Sequence, residues 1–90
     1  MNEIERKHAK AAFDRVRAIL HGEWDPIGAG VPIDEYDSYA WPVLALLQRK
    51  AERTEVEAYL RWAADDAMRS PVPDARLASV LDRLMALDIT

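Results

Sequence analysis

Cysteine is absent from this 90-residue chain. That excludes a disulfide scaffold, a thiolate zinc site and a cysteine nucleophile, and it fits a reducing compartment. Long hydrophobic runs are missing as well. The longest covers residues 43–47, far short of a membrane span. Met1 to Lys10 are charged and contain no apolar stretch of the kind a secretory signal needs. These absences predict a cytoplasmic protein with no membrane partner. Histidine occurs only at His8 and His21, in neither a triad nor a metal-ligand spacing, so both read as structural. No stretch alternates polar and apolar residues as a half-buried strand does. The length admits one domain, residues 1–90.

Basic residues are missing from one part of the chain. Residues 18–48 contain no Lys or Arg but hold Glu23, Asp25, Asp34, Glu35 and Asp37. The rest carries 12 basic residues against 11 acidic ones, so the middle segment supplies the whole net charge of −4. The basic residues elsewhere are dispersed, which argues against nucleic acid as a partner.

What is present is helical periodicity. Ala9, Ala12, Phe13, Val16, Ile19 and Leu20 share one face and predict a first helix over Glu3–His21. Asn2 and Glu5 form a capping-box pattern at its start, and Gly22 suits the left-handed position after its end. Pro42 suits a first helical position, so a second helix is expected to begin near Trp41 and to continue through Val43, Leu44, Leu46 and Leu47. Thr54 with Glu57 reads as a capping box for a third helix over Glu55–Arg69. Val56, Tyr59, Leu60, Ala63 and Ala67 are its apolar positions, and Trp62 reads as core. Ser70-Pro71-Val72-Pro73 breaks the chain. Asp74 reads as the N-cap of a last helix over Ala75–Leu87, striped by Leu77, Val80, Leu81 and Leu84. The expected fold is all-α, a small four-helix bundle with a long ordered loop between helices 1 and 2.

That loop, residues 22–40, holds all three glycines and two of the five prolines. A connection this long within a compact domain is either functional or well packed. Residues 23–41 also concentrate the acids listed above and four of the seven aromatics. We expect Trp24, Asp25, Pro26, Gly28 and Trp41 to set the loop structure. Asp25 would accept N–H bonds from the Ile27-Gly28 turn, Gly28 would supply a left-handed residue, and Asp34 would cap the turn at Glu35–Tyr39. Asp34, Glu35, Asp37 and Tyr39 are expected to face a basic protein partner, since carboxylates steer cations and aromatics dominate binding hot spots. Gly28 and Gly30 lack the strand, lysine and helix of a phosphate loop.

The strings Trp24-Asp25-Pro26-Ile27-Gly28, Asp34-Glu35-Tyr36-Asp37-Ser38-Tyr39 and Tyr59-Leu60-Arg61-Trp62 resemble a family of small bacterial proteins of unassigned function, with W-D-P-[IL]-G and D-E-Y-D-x-Y motifs. The resemblance covers about residues 10–68 and leaves the last helix outside. It carries no catalytic residue and no cofactor. It implies a helix, the W-D-P-[IL]-G loop, the D-E-Y-D-x-Y segment and two further helices ending after an L-x-W motif, and suggests roles of the immunity or antitoxin kind.

Three function classes follow. The first is a protein-interaction module that binds a basic partner through the acidic-aromatic loop, with no catalytic residue, metal or cofactor. The second is a small metal-dependent hydrolase using Asp25, Asp34 or Asp37, although their spacing matches no EF-hand loop. The third is a structural or regulatory homodimer joined by the apolar stripe of the last helix.

Overall fold

The computed structural model describes residues 3–88, with side chains from Lys7 onward. It is an all-α bundle of four helices: α1 over Glu3–Ile19, α2 over Asp37–Gln48, α3 over Arg53–Trp62 and α4 over Asp74–Met85. No strand occurs among the described residues. The expected Asn2–Glu5 capping box lies outside the described side chains.

Two of the helices end in π-helical turns, Leu20–Trp24 after α1 and Ala63–Ala67 after α3. In α1 the buried positions Val16, Leu20 and Trp24 recur every fourth residue. A strict four-residue repeat drifts round an ideal α-helix by about 40° per step. The wider π turn reduces that drift and keeps Leu20 and Trp24 facing the core. The turn closes with Asp25 N–H donating to the Leu20 carbonyl at 2.9 Å. Gly22 therefore sits inside the turn, and the chain leaves the helix at Asp25, which takes the left-handed conformation at φ 33°.

The α2 start corrects the expected one. The helix begins at Asp37, not near Trp41, which places Pro42 inside it. Tyr36, Ala40, Val43 and Leu44 are all buried, and their spacing of four, seven and eight residues is one helical face. Burying Tyr36 therefore requires helical geometry from Asp37 onward. Pro42 removes one intrahelical bond, near the exposed Ser38. The helix ends in a Schellman arrangement: Ala51 N–H donates to Leu46 at 3.0 Å and Lys50 N–H to Leu47 at 3.1 Å. Lys50 carries the positive φ of 57° that glycine usually supplies there.

The other two starts also differ from expectation. Glu52, extended at ψ 156°, precedes α3 without a side-chain cap. Thr54 then falls inside the helix, and Glu57 bonds Arg61 one turn later at 2.9 Å. Pro73, extended at ψ 144°, precedes α4. Asp74 is the first helical residue, and its carboxylate takes Arg61 at 3.1 Å.

One apolar cluster joins all four helices and includes Phe13, Val16, Leu20, Trp24, Tyr36, Val43, Leu60 and Leu81. Leu77, Val80, Leu81 and Leu84 of α4 are all buried in it. The stripe proposed as a homodimer interface is thus used inside the monomer. Each of these side chains contributes about 1.5–3 kcal/mol by leaving water.

Candidate functional site

The connection between α1 and α2 divides into a locked base and an open tip. At the base, Trp24 is fully buried and Pro26 is buried beside it. The indole meets Tyr36 edge-on at 5.5 Å and Tyr39 at 6.0 Å, geometries that aromatic quadrupoles favour. The Trp24 Nε1–H is buried without an acceptor among the described residues, at a cost of about 1–3 kcal/mol. Packing of the indole has to offset that cost.

Tyr36 closes the base. Its hydroxyl donates to Asp25 Oδ1 at 2.7 Å and accepts the Ile27 N–H at 3.1 Å. Gly28 N–H donates to the same carboxylate oxygen at 3.2 Å. One carboxylate thus ties the loop exit from α1 to the residue just before α2. Burial first, and the Asp25 bond second, push the Tyr36 hydroxyl up from 10.0 to about 12. The hydroxyl is therefore a firm donor at neutral pH. Gly28 lies at φ 67°, where a side chain would be strained.

The base is also tied to the far end of the chain. Ser70 Oγ donates to the Pro26 carbonyl, and Arg76 reaches the Asp25 carbonyl at 3.4 Å. Arg83 pairs with Glu23 at 3.0 Å. His21 Nε2 lies 2.9 Å from the Val31 carbonyl and holds the middle of the loop against the end of α1.

The tip is open. Residues 27–30 and 32–35 are exposed, and Ile27 and Ile33 are among the exposed large apolar side chains. Asp34 and Glu35 make no ion pair or hydrogen bond through their carboxylates among the described residues. Asp34 acts through its backbone, its carbonyl accepting the Asp37 N–H at 3.1 Å, where a side-chain cap was expected.

Asp37 and Tyr39, both expected to face a partner, are engaged inside the chain. Arg17 grips Asp37 in a bidentate pair, Nε to Oδ1 at 3.0 Å and Nη2 to Oδ2 at 2.6 Å. That bond, more than any other influence, favours the charged guanidinium further, and the fields of Asp37, Asp14 and Asp34 add to it. Tyr39 is half-buried against the core. Trp41, expected to be a buried anchor, is 55% exposed. It stacks on Phe13 at 4.0 Å and 23°, as a cover over that ring. Arg17 lies over the Phe13 ring at 5.0 Å. The resulting surface on α1, α2 and the turn before α2 combines an exposed indole, the Arg17–Asp37 ion pair, and the carboxylates of Asp14 and Asp34, whose fields act on Arg17.

The same bonds engage two of the carboxylates named for a hydrolase. Asp25 serves Tyr36, Asp37 serves Arg17, and no three His, Asp or Glu side chains converge as metal ligands among the described residues. A groove of about 520 Å³ between α1 and α4 lies elsewhere, floored by Ala18, Ile19, Ala86 and Leu87. Two of its rim charges are already paired, Asp82 with Arg53 and Arg83 with Glu23. Trp62, expected in the core, is 50% exposed on α3. No helix among the described residues is long and apolar enough to cross a membrane.

Sequence reasoning could count Tyr36 among the aromatics that pin the loop, but it missed the bond from its hydroxyl to Asp25. The two stand eleven positions apart, and no local spacing marks the pair. The chain matches no protein-family model, no curated protein and no solved structure.

Proposed function

We propose that this chain is a non-enzymatic protein-interaction module of the cytoplasm that takes a basic partner on the surface around the open loop tip and Trp41. The observation that carries the reading is the exposed Trp41 indole, stacked on Phe13, whose ring also lies under Arg17, a guanidinium within the field of Asp14 and Asp34. An exposed rigid aromatic, together with exposed loop carboxylates that no cation pairs, supports capture of arginine- and lysine-bearing surfaces. In this reading Asp34, Glu35 and Trp41 contact the partner, while Asp37 and Tyr39 hold the surface in shape. Immunity or antitoxin activity, suggested by the family resemblance, is one form such capture takes, and the basic partner would then be a toxin.

The test is quantitative capture from native lysate across a salt series. The Asp34→Lys/Glu35→Lys variant loses capture and the wild-type salt dependence, and Trp41→Ala loses capture at every salt concentration. Equal capture by all three proteins contradicts the reading.

A further inference from the structure

A second exposed aromatic lies outside the α1–α2 connection. Trp62 ends α3 and is 50% exposed. Tyr59, one turn earlier, is half-buried and lies 5.8 Å from it at a 37° tilt. Asp65 and Asp66 follow on the π-helical turn; along this wider winding Asp66 comes round toward the Trp62 side, with Asp65 just before it. Both are exposed, and neither makes an ion pair or hydrogen bond among the described residues.

None of the neighbouring cations forms an ion pair with these two acids among the described residues. Arg61 is taken by Glu57 and Asp74, and Arg49 by Glu55. Arg69, three and four residues further on, forms no ion pair with Asp65 or Asp66. The negative end of the α3 dipole adds to the same field. An indole face attracts cations through its quadrupole. Indole, carboxylates and helix end therefore all favour positive charge.

We infer that this face of α3 binds a basic segment of a partner protein, with an arginine or lysine side chain lying over Trp62 and its charge against Asp65 and Asp66. An exposed helix face cannot enclose a small cation as a pocket does, so a polypeptide is the occupant that suits it. The inference does not rest on the loop, since none of its residues belongs to residues 22–41.

The three tryptophans make the test selective, because each indole N–H gives its own NMR signal. The probe is a blocked tetra-arginine peptide titrated into the whole chain. The Trp62 indole and the amides of residues 59–66 are expected to shift saturably. Trp62→Ala is expected to weaken binding roughly two- to fivefold, the amount an exposed cation–π contact contributes. Asp65→Asn/Asp66→Asn is expected to weaken it and flatten its salt dependence. Asp65 and Asp66 are exposed, so thermal melts of their variant should match wild type, Trp62→Ala should melt only slightly lower through its lost contact with Tyr59, and the matching tetra-citrulline peptide should not bind. Shifts centred on Trp41 and residues 33–37 would overturn the inference while leaving the loop reading standing. Equal binding of tetra-citrulline would overturn it too, as would a concentration-dependent dimer that Trp62→Ala abolishes.

Discussion

Trp24 ends the π-helical turn after α1, Trp41 lies in the second turn of α2, and the fold treats them in opposite ways. Trp24 is sealed between Tyr36 and Tyr39 with its N–H unpaired among the described residues. Trp41 lies on the surface, with one face against Phe13. The difference follows from helical phase. Trp24 continues the buried series Val16 and Leu20, whereas Trp41 stands one position past buried Ala40, about 100° round α2. Residue type sets how much apolar area there is to bury, and phase decides whether it is buried.

The largest expected effect tests the buried end. Trp24→Ala should cost about 3–5 kcal/mol in denaturant unfolding, a large part of the margin of a domain this size. A loss near that of Trp41→Ala would erase the contrast.

Tyr36→Phe comes next, at about 1–3 kcal/mol, because it leaves the Ile27 N–H and Asp25 short of a partner. Its pH dependence sharpens the point. The folded-state hydroxyl titrates at about 12, above its ordinary 10.0. The contribution is therefore complete below pH 10 and is lost as pH rises toward 12. Unfolding measured across that window should show an extra loss in wild type that the Phe variant lacks. Tyr59 is also raised, chiefly by burial, but it titrates equally in both proteins and cancels in the comparison.

Smaller still is Trp41→Ala, expected to cost about 0.5–1.5 kcal/mol for the lost stacking on Phe13 while abolishing capture of a basic partner. Asp34→Lys/Glu35→Lys should stay within about 0.5 kcal/mol of wild type per substitution in the same melts and still lose capture.

The four helices were legible in the sequence because their apolar positions keep one period. Their ends were less so. A strong N-cap pattern at Thr54 and Glu57 yielded to an extended Glu52, and the early start of α2 depends on burying Tyr36, a tertiary demand that local propensity does not carry. Three helical segments end at the left-handed residues Asp25, Lys50 and Arg69, none of them glycine, so the glycine signal at Gly22 pointed to the wrong residue. At the candidate site, the Asp25–Gly28 turn could be read from the Asp-Pro-x-Gly spacing because both groups are local. The Tyr36–Asp25 bond and the Arg17–Asp37 grip could not, since each joins residues brought together only by the packing of α1 against α2. Nor could aromatic composition tell that Trp24 is buried while Trp41 and Trp62 are exposed.

The central claim is that one connection has a locked base and an open tip, and amide hydrogen exchange reads both together. The Ile27 and Gly28 amides, bonded to Tyr36 and Asp25, should exchange slowly in wild type and fast in Tyr36→Phe. Ala29 and Ile33, on the exposed tip, should exchange fast in both. Exchange at Ile27 and Gly28 as fast as at Ala29 in the wild-type protein would contradict the account.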